Sequence, residues 1–185
     1  MNISILMLTH NRPHLFQRAL NSVLRTNVMN LEILVNNDSC DIEERRPTGH
    51  DIKYFYNKRE DITEIYRFLY ESATRDFIYF LEDDDYITRN FFDYIDLNCD
   101  INFMNYISTP LVGEFGFNRA MVLTSQETNK RSPVLYEDFK QSFDSRYFQL
   151  GQLLFRKTSL TRFPDVENYI QNDLMLFNNF KHDSV

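Results

Sequence analysis

A single α/β domain with a mostly parallel central sheet flanked by helices is predicted by three observations. Residues 2–9 carry Ile3, Ile5, Leu6, Met7 and Leu8 as a near-continuous apolar run, the pattern of a parallel-sheet strand buried on both faces. A helical stripe of Leu15, Phe16, Ala19, Leu20, Val23 and Leu24 follows, and then a second apolar run over 31–35. The chain therefore opens as β-α-β, for which a right-handed crossover is expected. Finally, the apolar run 77–81 stops at four consecutive carboxylates, Glu82, Asp83, Asp84 and Asp85. In open α/β sheets, ligands collect outside the carboxyl ends of the strands.

Each element has its own signal. Pro13 suits the first turn of the first helix, because its missing N–H is one that no helix satisfies there. The second strand ends in the polar loop Asn36-Asn37-Asp38-Ser39. A third strand is expected over 52–56. Asp61-Ile62-Thr63-Glu64 has the form of a capping box, opening a helix to residue 72 with Ile65, Phe68 and Leu69 inward. Thr88 is the expected cap of a short helix carrying Phe91, Phe92, Ile95 and Leu97. Beyond residue 101 the pattern weakens, with strands expected over 102–108, 118–124 and 149–156 and a flexible loop near 127–131. Residues 169–180 set Ile170, Leu174 and Phe177 on one helical stripe.

The chain has 185 residues, 43% of them hydrophobic, enough for one well-buried core and few for two. Its net charge of −7 argues against a generally basic nucleic-acid-binding surface. No apolar run is long enough to span a bilayer and the N-terminus lacks a signal-peptide pattern, so a soluble, cytoplasmic protein is expected. Cys40 and Cys99 fit neither a disulfide framework nor a zinc spacing and read as reduced thiols. Abundant Asn, Phe, Tyr and Ile with few Gly residues suggest an AT-rich genome, bacterial or phage.

The acidic run carries the chemistry. In extended backbone Glu82 and Asp84 share one side and Asp83 and Asp85 the other, so carboxylates two apart can converge on one cation. Acidic runs are commonly solvated surface, but four adjacent anions repel unless a cation or hydrogen-bond donors offset them. Oxygen-only ligands favour Mg2+ or Mn2+, and Mg2+ is commonly shared between carboxylates and substrate phosphates.

With these pieces placed, the chain resembles family 2 glycosyltransferases of the GT-A fold. The resemblance runs through Ser4-Ile5-Leu6-Met7-Leu8-Thr9-His10-Asn11-Arg12-Pro13, residues 32–41, residues 73–85, and Leu153-Leu154-Phe155-Arg156-Lys157 with Asn172-Asp173. It implies a nucleotide-sugar-binding half over 1–100 and an acceptor-side half over 101–185. Thr9, Asn11 and Arg12 would border the nucleotide. Asn36, Asn37 and Asp38 fall where the family has a pair of aspartates that receive the nucleobase. An Asn offers donors as well as an acceptor, which weakens the case for uridine unless Asp38 takes over. Glu82-Asp83-Asp84 resembles the acid-x-acid metal motif, with Asp84, or Asp85 one residue on, as ligand and Glu82 or Asp83 towards the ribose. Arg59 and Arg67 would meet the diphosphate, His182 would be a late metal ligand, and Asp173 would be the base.

The resemblance implies a metal-dependent inverting glycosyltransferase, using Mn2+ or Mg2+ and a nucleotide-sugar donor, UDP-linked, on a saccharide or lipid-linked saccharide hydroxyl. Two alternatives stand beside it. One is a phage-type enzyme acting on a hydroxylated base in DNA, for which Lys130-Arg131 and Arg156-Lys157 would supply phosphate contacts. The other is a non-catalytic nucleotide-binding module. A nucleotidyltransferase is disfavoured, because no Gly-rich phosphate loop follows the first strand.

Overall fold

The computed structural model describes residues 1–38, 42–58, 62–103, 105–111, 118–124, 151, 153–160 and 163. For 94, 103, 105–111 and 118–124 the description is of the backbone alone. The order is β1 (Ile3–Thr9), α1 (Pro13–Leu24), β2 (Glu32–Asn37), β3 (Asp51–Phe55), α2 (Ile62–Ser72), β4 (Phe77–Phe80), β5 (Tyr86–Ile87), a 3₁₀ turn (Phe91–Tyr94), β6 (Ile101–Phe103), β7 (Asn105–Leu111), β8 (Asn118–Thr124) and β9 (Leu153–Arg156). Asp61, the loop 127–131 and the helix expected over 169–180 lie outside the described residues.

The main sheet has the order β3-β2-β1-β4-β9-β6. β1 pairs in parallel with both β2 and β4, and β2 pairs in parallel with β3. β9 runs antiparallel between β4 and β6, so among the described strands it alone is reversed in this sheet. The mostly parallel sheet is therefore present, and both of its faces are covered. Ile3, Ile5 and Met7 pack with Phe16, Ala19, Leu20 and Val23 of α1, while Leu6 packs with Ile65, Tyr66 and Leu69 of α2. Alternation with a period of two sends neighbouring β1 residues into opposite apolar layers, which is why the run contains almost no polar residue.

Three local features depart from the sequence reading, the first being that the single strand expected over 102–108 is divided between β6 of the main sheet and β7 of another. Asn90, not Thr88, precedes the 3₁₀ turn, and it makes no side-chain cap. The Thr88 carbonyl accepts the Phe91 N–H at 3.0 Å, while its own hydroxyl is buried without a hydrogen-bond partner among the described residues. The short β5, which no periodicity could reveal, pairs in parallel with β8 in a second sheet of order β5-β8-β7. Ser22 of α1 holds it in place: the Ser22 hydroxyl donates to the Ala19 carbonyl at 2.6 Å and accepts the Ile87 N–H at 3.1 Å. Among the described residues, no helix is long and apolar enough to cross a membrane.

At the amino edge of the sheet lies a fully buried charge, Glu32. Its carboxylate accepts from the Ser4 hydroxyl at 2.5 Å, the Thr74 N–H and hydroxyl at 2.8 Å each, and Lys53 Nζ at 3.0 Å. Burial alone would push this carboxyl up. The four donors outweigh it and hold the group at about 2, well below its ordinary 4.5. A depressed carboxyl stabilises the fold above its unfolded-state value and loses that contribution as pH falls through the folded one. Urea unfolding between pH 7 and pH 2 is therefore expected to show Glu32→Gln on the order of 3 kcal/mol less stable than the parent at neutral pH. The difference should close between pH 4.5 and about 2. A gap independent of pH would show that the network holds Glu32 by shape rather than charge.

Candidate functional site

Because β2, β1 and β4 are parallel, their carboxyl ends share one edge of the sheet. Three polar segments meet there: Asn36 to Asp38 at the end of β2, Thr9 to Arg12 at the end of β1, and Glu82 to Asp85 after β4. Main-chain hydrogen bonds set their spacing, from Asp38 N to Thr9 O at 3.3 Å and from Leu81 N to Leu6 O at 3.0 Å. Asn11 takes a left-handed conformation, φ 51°, which Asn tolerates better than most residues. There the chain turns from β1 into α1.

The acidic run is a turn, not an extension of β4: the Asp85 N–H returns to the Glu82 carbonyl at 3.2 Å. Asp83 and Asp85 are buried, while Glu82 and Asp84 are half-exposed. One carboxylate oxygen from each of Glu82, Asp84 and Asp85 lies within 4.8 Å of the others. The sequence pairs Glu82 with Asp84, and the turn adds Asp85 to the same group. An all-oxygen set of this kind fits a hard divalent cation such as Mg2+ or Mn2+.

Asp83 points elsewhere. It accepts from the Thr9 hydroxyl at 2.9 Å and from Arg12 Nη1 at 3.2 Å, and the same Arg12 nitrogen lies 3.3 Å from Asp84. Burial pushes the Asp83 carboxyl above its ordinary range, although Thr9 and Arg12 pull it down, and the charge of Asp84 adds to the rise. Arg12 shows the reciprocal effect: partial burial works against its charge, but Asp83 and Asp84 outweigh this and raise it. Arg12 thus bridges a buried and a half-exposed carboxylate.

Beside this turn opens a cavity of about 370 Å³ lined by Leu8, His10, Arg12, Ile62, Tyr66, Glu82, Asp83 and Asp84. His10 is a site residue that the sequence reading passed over; its Nδ1 lies 2.6 Å from Asp38 Oδ1. Its only sequence signal was its place between Thr9 and Asn11. Ile62 and Tyr66 supply an apolar wall from α2, and their helical spacing made them indistinguishable from core.

Asn36, Asn37 and Arg67, also expected at the site, are not among the residues that line this cavity. Asn36 is buried, donating to the Asn57 carbonyl at 3.1 Å and accepting the Asn57 N–H at 3.2 Å, so its amide secures the chain after β3. Asn37 is also buried. Arg67 lies half-buried on α2 and does not line the cavity. Arg59, Asp173 and His182 lie outside the described residues. Arg156 and Lys157 are committed at the opposite edge of the sheet. Arg156 bonds Asp100 at 2.6 Å and the Leu97 carbonyl at 2.9 Å, and Lys157 Nζ bonds the Ala73 carbonyl at 2.7 Å.

A family model described as glycosyl transferase family 2 matches residues 4–160. No curated protein matches the chain. Among solved structures, S. aureus TarS 1-349 in complex with UDP is 16% identical with a TM-score of 0.62, covering 97% of this chain and 55% of that one. The same fragment in complex with UDP-GlcNAc is 16% identical with a TM-score of 0.59, covering 97% and 53%. The chain thus spans about half the length of these structures, and the likeness shows the fold they share, a GT-A-type α/β arrangement.

The energetics of Asp83 make a checkable statement about what this turn is for. A carboxyl raised in the folded state carries no penalty below its unfolded-state value and a full one above its folded value. Without metal or nucleotide, Asp83→Asn is expected to melt at a higher temperature than the parent at pH 7. That advantage should vanish as pH falls below the ordinary carboxylate range. A lowered midpoint at pH 7 in calorimetry would instead make the ionised Asp83 a fold-stabilising group.

Proposed function

The chain belongs to glycosyl transferase family 2, and on that premise we propose that it moves a sugar from a nucleotide diphosphate donor, UDP-linked, to an acceptor hydroxyl with inversion. The observation that carries this reading is the three-carboxylate group of Glu82, Asp84 and Asp85 beside a cavity open to Arg12 and His10. The UDP and UDP-GlcNAc complexes of the TarS fragment support the choice of nucleotide.

In this reading residues 1–100 bind the donor and 101–185 receive the acceptor, a saccharide or lipid-linked saccharide. Asp38, steadied by His10, accepts from the nucleobase, while Asn36 positions the surrounding chain. Thr9, Asn11, Asn37 and Asp83 border the nucleoside, and Arg12 and Arg59 supply positive charge towards the diphosphate. Asp84 and Asp85, with Glu82 and a late His182, would hold Mg2+ or Mn2+. A bound divalent ion supplies neutralisation of the charge that develops on the leaving diphosphate. Asp173 takes the proton from the acceptor hydroxyl on the opposite side of the sugar, as an in-line displacement requires.

The donor half of this reading is tested by thermal stability. UDP with Mn2+ at a hundred times its Kd is expected to raise Tm by about 5–10 °C, and guanosine, adenosine and cytidine diphosphates by less. Asp84→Asn should abolish the part of the shift that depends on the metal. A preference for a purine diphosphate, or an unchanged metal-dependent shift in Asp84→Asn, would overturn the assignment.

The catalytic half rests on Asp173. Asp173→Asn should leave UDP and Mn2+ binding as in the parent and lower sugar transfer by about 100-fold or more, the range of a positioned general base. Transfer at the parent rate with saturating donor would place deprotonation elsewhere.

A further inference from the structure

On the other side of the acidic turn, α1 and β5 enclose a second cavity, of about 560 Å³, lined by Arg18, Ser22, Arg25, Tyr86, Ile87 and Arg89. Among the described residues that line it, three are arginines, in a chain whose net charge is −7. Among the described residues none of the three is ion-paired with a carboxylate. Clustered guanidinium groups repel one another, and an oxyanion is what relieves that repulsion.

We propose that this cavity is an oxyanion-binding site that takes a phosphate group, distinct from the nucleotide pocket. Arg18 forms its fixed wall. Its guanidinium lies 5.1 Å from the centre of the Tyr86 ring, a cation–π contact, and its Nη2 donates to the Asp84 carbonyl. Its Nε is buried and, among the described residues, makes no hydrogen bond, which leaves an N–H donor unspent. Ser22 fixes the floor by holding Ile87. Arg89 is oriented by a hydrogen bond to Asn27 Oδ1 at 3.3 Å, and Arg25, at the end of α1, is exposed. One oriented arginine fork with two solvent-facing partners matches the planar, multidentate donors that recognise phosphate oxygens.

The phosphate has two possible sources, a free ion or a group carried on a larger molecule such as a phosphorylated acceptor. The test uses protein whose nucleotide pocket is saturated with UDP and Mg2+, titrated with inorganic phosphate and separately with glycerol phosphate, and follows the arginine Nε–H resonances. Saturable binding is expected to shift the Arg18 signal and leave Arg12 unmoved. Arg25→Ala and Arg89→Ala should each weaken it about 10-fold, with UDP affinity unchanged. Tighter binding of glycerol phosphate would identify a carried phosphate, and tighter binding of inorganic phosphate a free ion; either supports the site. Affinity retained in the Arg25→Ala/Arg89→Ala double variant, or no saturable binding of either probe, would overturn it. UDP binding is scored in the same samples, so failure of the donor reading would be seen separately from failure of the phosphate site.

Discussion

The structure depends on one constraint, the parallel pairing of β1 on both of its edges. With β2 on one side and β4 on the other, three strands deliver their carboxyl ends to one line, and every charged or amide group that follows them must share that space. Apolar layers on both faces leave these groups nowhere else to go, because Leu6, Met7, Phe80 and Leu81 just behind them are buried. The fold thus concentrates polar chemistry at one edge by denying it to the faces. The seven carboxylate and amide residues of two strand ends, Asn36, Asn37, Asp38, Glu82, Asp83, Asp84 and Asp85, are crowded together for the same reason.

Crowding of that kind needs compensation, and the two edges of the sheet solve it differently. At the amino edge Glu32 has four hydrogen-bond donors and sits at about 2; the local network is satisfied and contributes stability. At the carboxyl edge Asp83 remains raised despite Thr9 and Arg12. Arg12 divides one nitrogen between Asp83 and Asp84 at 3.2 and 3.3 Å, longer than a charge-assisted bond at its best. A carboxylate is anchored by donors at one edge of the sheet and left short of them at the other. A site kept short of positive charge by its own fold is one in which an added cation gains more than it would in water.

Much of this was legible in the sequence, for reasons that can be located. α1 and α2 read correctly because each buries a stripe with the helical period, and β1, β2 and β4 because a strand buried on both faces is a near-continuous apolar run. The acidic turn was found by its charge and its place after a buried strand. What the sequence concealed was three-dimensional. Asp85 joins Glu82 and Asp84 through a turn that breaks the alternation of a strand. Asn36 is drawn to the Asn57 backbone across 21 residues, so its amide serves structure where its position suggested recognition. Ser22 lies on the apolar stripe of α1 and gives no sign that it accepts the Ile87 N–H. β5 has two residues, too few for any period to show.

Ser22 and Arg18 also explain why the acidic turn can have a defined shape. A turn bearing four carboxylates has no intrinsic reason to stay folded, since extension would separate the charges. Its entry is fixed by Leu81 N on the Leu6 carbonyl at 3.0 Å, and its exit by Ile87 N on Ser22 at 3.1 Å. Between these anchors Arg18 holds the Asp84 carbonyl from the α1 side while Arg12 reaches the Asp83 and Asp84 side chains. The turn is therefore clamped at two positions six residues apart, by Arg12 just before α1 through side-chain charge and by Arg18 within α1 through the main chain. A clamp of this form ties the acidic turn mechanically to the arginine-lined cavity behind it.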